Sequence, residues 1–324
     1  MGSAKRLLHM FFGGREFVVM GVMIGLAVIM SFLSPYFLDS NNIFNILRGM
    51  TTIGVMAIGM TMIIITGGID LSVGSMLAAS CLLTARLLAG GMNAVLAVIL
   101  GLAFGAFLGF VNGVIITKLR INPFITTLGM LSVARGLAYL FASGIKGRVV
   151  SNIPMDNEYV NFIGGGYFGM IPFAVILLIV LVILSTLFLR YTVTGRYIYA
   201  VGSNERSARL SGIRVDRVRI FVYTVTGACC ALAGIMIGGV LSTASTNSGT
   251  GNELDVIAAC VIGGASLSGG EGTIIGAVFG AIIMAIVRNA FVLLHVPAHF
   301  QTIAIGVVIV LAVGLDSMVH KNRS

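Results

Sequence analysis

The sequence predicts an all-α integral membrane protein of about ten transmembrane helices arranged as two pseudo-repeated halves. Three observations carry this. Of the 324 residues 58% are hydrophobic and only 10% charged, too little charge to cover a soluble surface. The apolar residues fall in continuous runs close to the ~20 residues that a spanning helix needs, not in the alternation of a lipid-facing barrel. The 43 glycines sit inside those runs, where a missing side chain lets helices approach closely in lipid.

The runs place spans near 16–34, 45–66, 70–89, 94–116 and 123–141, then near 171–189, 218–241, 254–268, 273–294 and 299–316. The segment 254–268 is short for a full crossing and could be re-entrant. Lys5, Arg6 and Arg15 precede the first run, which is too long for a signal peptide and lacks a small-residue cleavage site. It reads as an uncleaved helix. With the N-terminus inside, Lys118 and Arg120 fall inside, as do Arg190, Arg196, Arg206, Arg209, Arg214, Arg217 and Arg219, and finally His320, Lys321 and Arg323. This satisfies the positive-inside rule, with both termini cytoplasmic in a bacterial inner membrane. The +9 net charge is thereby explained without nucleic acid; membrane lipid is the expected surroundings. The whole chain, 1–324, reads as one transmembrane domain with a cytoplasmic loop at 190–218 and an external loop at 143–170.

A repeat links the two halves. Gly67-Gly68-Ile69-Asp70-Leu71-Ser72-Val73-Gly74 matches Gly263-Gly264-Ala265-Ser266-Leu267-Ser268-Gly269-Gly270 at five of eight positions. Glycine pairs at corresponding places in apolar segments break helices, as in many transporters. Both copies fall at cytoplasmic ends, so the halves read as parallel repeats.

The loop 190–218 carries a capped short helix in its sequence. Ser203 is a suitable N-cap, Glu205 suits the positive end of a helix dipole, Arg209 the negative end, and Gly212 a left-handed terminus. Two turns at 203–211 would be marginal alone and make sense docked into another protein. Ser203, Asn204, Glu205, Arg206, Ala208, Arg209, Leu210 and Gly212 are therefore the candidate docking residues.

No chemistry of catalysis is legible. Lys5, Lys118, Lys146 and Lys321 are the only lysines, and none follows a phosphate-cradling glycine loop. Cys81, Cys229, Cys230 and Cys260 lie in apolar runs and His9, His295, His299 and His320 are scattered, so no metal or other cofactor is expected. Asp70, Asn112, Arg135, Arg288, Asn289 and Gln301 lie in or near the spans, where polar groups turn toward protein or water. Asp70, read as the one firmly embedded acid, either caps the following helix or lines a pathway. Together with Asn112, Asn289 and Gln301 it forms the candidate solute pathway, suited to hydrogen-bonding a neutral solute. A proton- or sodium-driven carrier should instead show buried acid–base pairs. A membrane-embedded enzyme or scaffold has no nucleophile or metal constellation to support it.

Ile65 to Ser75, Asn122 to Gly129, Ala200 to Ile213, and Glu253 to Ala259 with Gly263 to Gly270 resemble the ribose-type permeases of the ATP-binding-cassette (ABC) sugar importers. Glu271-Gly272 departs from the family, where a basic residue is more usual before the glycine. The resemblance implies a non-enzymatic transport subunit that works with a cytoplasmic ABC ATPase and a periplasmic or extracellular sugar-binding protein. It also implies a second permease copy or a homologous permease, and makes the 203–211 helix the element seated in the ATPase.

Overall fold

The computed structural model describes residues 14–143, 150–297 and 299–307, together with Val310 and Gly314. The chain runs through α1 (Gly14–Leu33), α2 (Ser40–Ile65), α3 (Val73–Ala89), α4 (Ala94–Lys118) and α5 (Pro123–Ala142). A small segment follows, with β1 (Asn152–Pro154), α6 (Glu158–Gly165), β2 (Tyr167–Phe168) and β3 (Ile171–Pro172). Then come α7 (Phe173–Tyr191), α8 (Val193–Ser203), α9 (Glu205–Leu210), α10 (Val215–Leu241), β4 (Thr243–Ser245), α11 (Asn252–Ile262) and α12 (Ile274–Leu293).

Among the described residues seven helices are long and apolar enough to cross a membrane: α1, α2, α4, α5, α7, α10 and α12. They correspond to seven of the ten runs read from the sequence. The other three differ. The run at 70–89 becomes the 17-residue α3, preceded by seven residues of irregular chain, 66–72. The run at 254–268 becomes the 11-residue α11, about 16 Å long at 1.5 Å per residue, roughly half of a hydrocarbon core. The run at 299–316 is helical over 299–307 and otherwise falls mostly outside the described residues.

Helix starts follow local chemistry. Asp39, Asn93 and Asn122 each accept a backbone N–H two residues ahead, which satisfies a donor that the first turn leaves free. Pro123 sits in the first turn of α5, where its missing N–H costs nothing.

The core lies where α2, α3 and α10 meet. Val55 to Ile65 is buried without interruption, and so is Val73 to Leu82. α10 packs on α4 through glycine. A Cβ on Gly109 would strike the Tyr223 carbonyl, one on Gly113 the Ile220 backbone, and one on Gly227 the Gly105 carbonyl. Gly105, Gly109 and Gly113 recur every fourth residue and form one stripe along α4 that brings the two backbones together, the small-xxx-small packing of helices in lipid. Phe32 on α1, Phe107 on α4 and Leu184 on α7 point outward, as lipid-facing residues should.

Two short sheets tie the loops. β1 pairs antiparallel with β4, Ile153 opposite Ala244, so the 143–170 segment is stitched to the end of α10. The second is the β2–β3 pair.

Gly109→Val should separate α4 from α10 at a cost of about 3 kcal/mol, the upper end for overpacking, because the clash is with backbone. Thermal unfolding in detergent checks this against Gly129→Val, which meets nothing within 4 Å and should unfold at the parental temperature.

Candidate functional site: the basic face and the breaks behind it

The arginine-rich segment folds as two consecutive helices. Thr192 opens α8 by accepting the Gly195 N–H at 3.0 Å. Asn204, in extended backbone at φ −161°, closes it and opens α9. Its side chain accepts the Ser207 N–H at 2.8 Å. The cap is therefore Asn204 and not Ser203, whose hydroxyl turns back to donate to the Tyr199 carbonyl at 3.0 Å. The short helix of this loop is Glu205–Leu210, six residues, shorter than the 203–211 read from the sequence. Gly212 has φ +82°, and the backbone donates from Gly212 to Arg209 and from Ile213 to Ala208, both at 3.0 Å, closing the helix end as expected of that glycine.

Of the residues on α9, Ala208 is buried, while Arg206, Arg209 and Leu210 point out. Leu210 is 83% exposed. Glu205 and Arg209 are engaged within the chain. Glu205 accepts from Arg209 at 2.9 Å and from Arg219 at 2.7 Å. Arg209 also reaches Asp216 at 3.1 Å, and Asp216 meets Lys118 at 3.4 Å. The three-helix ionic chain Lys118–Asp216–Arg209–Glu205–Arg219 thus fixes α9 to α10 and to the end of α4. Partial burial pushes the Glu205 carboxyl up, but the bonds from Arg209 and Arg219 more than offset it, so it sits below the usual carboxylate range. Beside this chain lies a cavity of about 600 Å³, bounded by α9, the start of α10 and the α4–α5 turn, including Arg120, Ile121 and Asn122.

Behind α8 the two glycine repeats meet. The Gly270 N–H donates to the Ile65 carbonyl at 2.8 Å, and Gly202 lies against both, since a Cβ there would fall on Ile65 O and on Gly270 N. The Tyr199 hydroxyl donates to the Gly272 carbonyl at 2.8 Å.

Asp70 and Asn112 come together at the foot of α3, both fully buried. Asp70 Oδ1 accepts the Ser72 N–H at 2.8 Å, and Asn112 donates to the Ser72 hydroxyl at 3.0 Å. Asp70 thus shapes the turn that leads into α3. Asp70 Oδ2 and Asn112 Oδ1 have no hydrogen-bond partner among the described residues. Asn289 is committed elsewhere: it and Asn42 exchange two amide hydrogen bonds, at 2.6 and 3.0 Å, across α12 and α2. Gln301 donates to the Val296 carbonyl at 2.8 Å.

Asp70 is not the only embedded acid. Asp255 on α11, with a side chain 1% exposed, forms an ion pair with Arg288 on α12. The two are 33 residues apart, so no local pattern pointed to the pair. Arg135 on α5 donates to the Thr246 and Ser248 carbonyls at 2.7 and 3.1 Å. Among the described residues no group of His, Cys, Asp and Glu could hold a metal ion.

Seven long apolar helices, two partial helices beside them and an ion-anchored helix on the basic face define a multi-pass membrane transport subunit. The model of the family described as "Branched-chain amino acid transport system / permease component" matches residues 42–313, and the chain belongs to this family. It is 42% identical to the ribose import permease protein RbsC of Escherichia coli (strain K12), over 90% of each chain. It is also 42% identical to the ribose import permease protein RbsC of Bacillus subtilis (strain 168), over 90% of this chain and 89% of the relative. The L-arabinose ABC transporter permease protein AraH of Azospirillum brasilense is 36% identical over 95% and 89%. No solved structure matches the chain. The protein is accordingly a membrane-spanning permease of an ABC importer, a transport component and not an enzyme.

A depressed carboxyl stabilises its docked state above the ordinary range and loses that contribution as the pH falls through its own value. The anchoring of α9 should therefore hold at neutral pH and weaken only below the ordinary Glu value of 4.5. Glu205→Gln should remove it at pH 7, raising amide hydrogen exchange across 205–212 a few-fold, as expected for a solvent-screened pair worth at most ~1 kcal/mol.

Proposed function

We propose that the chain carries a sugar, or a similar small polar solute, into a bacterial cell, with the basic face in the cytoplasm and both termini on that side of the inner membrane. The observation that carries this reading is the 42% identity over 90% of each chain with a ribose import permease. The clustering of Lys118, Arg196, Arg206, Arg209 and Arg217 at one face supports the orientation. The near-match of the two glycine segments supports two related halves and ten membrane-inserted segments, two of them partial.

In this reading a cytoplasmic ABC ATPase receives α9. Leu210 supplies the apolar anchor and Arg206 a charged rim, the usual division in a docking surface. Asn204 and Gly212 shape the helix, Ala208 packs it inward, and Glu205 and Arg209 hold it at a fixed angle. Ser203 joins α8 to that unit. Two ATPase modules need two such helices, so the chain works beside a second copy or a homologous permease, with an extracytoplasmic sugar-binding protein delivering solute to the opposite face and membrane lipid surrounding the rest. The solute pathway involves Asp70 and Asn112, whose unpartnered buried oxygens a solute hydroxyl or water would satisfy. Asn289 and Gln301 contribute to it by holding the helices that flank it.

Gentle extraction of the tagged chain from its host tests the reading. A co-purifying cytoplasmic protein with nucleotide-binding motifs, and ATP-dependent uptake of a sugar, are the expected results. A chain recovered alone, whose uptake collapses with an ionophore and survives ATP depletion, would sink it. Leu210→Asp should cut ATPase recovery by about tenfold, the loss of a ~1.4 kcal/mol anchor, while membrane insertion stays at the parental level.

A further inference from the structure

The loop between β4 and α11 turns back to the foot of α3. α3 and α10 climb side by side, with a Cβ on Gly234 falling against Leu77 O and one on Gly238 against Cys81 Sγ. Gly74, one turn below Leu77, is then level with about residue 231 of α10, some 15 Å beneath the end of that helix at 1.5 Å per residue. The Gly249 carbonyl lies directly against Gly74. Arg135, which holds the Thr246 and Ser248 carbonyls, lies seven residues before the end of α5, about 10 Å down by the same rise. Both rulers put 246–251 well inside a hydrocarbon layer ~30 Å thick.

Irregular backbone at that depth does not face lipid. It occurs only where protein buries it or where it lines a water-filled cavity. This chain buries only Thr246 and Gly249 of it: Asn247, Thr250 and Leu254 are exposed, and Ser248, Asn252 and Glu253 are half-buried. The charges present balance. The Glu253 carboxylate lies 2.5 Å from where a Cβ on Gly74 would be, and it acts electrostatically on the Arg135 guanidinium. Around that pair stand amides and hydroxyls that both donate and accept.

We propose that the loop 246–253, braced by Arg135, forms a solute-contacting wall of the translocation route at mid-membrane, and that it takes a neutral polyhydroxylated solute. Mixed donors and acceptors on a charge-balanced wall match hydroxyl groups and offer an ion no net attraction. The proposal rests on the permease reading and adds a site about halfway across the membrane from the ATPase-docking face.

Single cysteines at Asn247 and Thr250, in the full chain within its transport complex, test it with a membrane-impermeant charged methanethiosulfonate applied from the face that carries 152–168. N247C and T250C should label about tenfold faster than lipid-facing L184C, because a thiol in lipid stays protonated, and turnover with solute should slow them. If both are as inert as L184C while Y159C on α6 labels, or if N247C forms a disulfide between two copies, the wall assignment is overturned. The two readings fail separately: ATP-driven uptake with an inert loop removes only this proposal, whereas ATP-independent uptake with a labelled loop removes only the ABC assignment.

Discussion

α2 ends inside the protein, at Ile65, and a helix that ends away from water must find a donor for its last carbonyls. Gly270 provides one, from the other half of the chain, and the backbone of Gly202 lies close against the same junction. Two glycines, Gly202 and Gly270, with no side chain in the way, let these backbones meet Ile65. The consequence is architectural. The chain leaves α2 in an irregular stretch, turns upward into α3, and on the other side α11 comes down to the matching irregular stretch at 263–273. Breaks that would be prohibitive in lipid are paid for by one another.

The same economy of side chains governs the long helices. Apolar helices gain little from meeting each other in lipid, so close van der Waals contact has to provide the cohesion. That explains why α4 turns its Gly105–Gly109–Gly113 stripe to α10 and its Phe107 outward. Polar side chains in the spans sit where each finds at least one partner: Asn42 with Asn289, Asp255 with Arg288, Asp70 with Ser72, and Asn112 with Ser72. The charged residues on the basic face obey different physics. They are exposed and screened, so the Lys118–Asp216–Arg209–Glu205–Arg219 chain sets an angle more than it adds stability.

Much of this was legible in the sequence, and the gaps have identifiable causes. Spans announce themselves because each is a local run. The Ser203 cap was misplaced by one residue because Ser and Asn are equally good caps, and only backbone dihedrals distinguish the residue that breaks the helix from the one that ends it. α8 was hidden because Val193, Thr194, Ile198 and two glycines are weak helix formers; its fixed position comes from Gly202 and Tyr199 packing on distant segments. The Asp255–Arg288 pair and the Arg135 bonds to 246 and 248 join residues far apart in the chain, so no spacing rule reaches them. The placement of 246–251 against Gly74 and Arg135 leaves no mark in the sequence for a related reason: a polar loop reads the same whether it faces bulk water or packs between helices.

These parts form a mechanical sequence. α9 is anchored by ion pairs to α10, and the end of α8 that adjoins it packs through Gly202 into the junction with Ile65 and Gly270. That junction is where the chain leaves α2 for α3, and where it arrives from α11. A protein that seats Leu210 and shifts α9 must therefore either break the ionic chain, whose links are individually weak, or carry α8 with it. Moving α8 displaces backbones that are in contact, with no side chains between them to absorb the displacement. Packed interfaces of this kind switch between arrangements instead of deforming gradually. The first elements to respond would be α3 and α11, two helices too short to reach both faces of the membrane, and Gly74 and Gly249 join their ends.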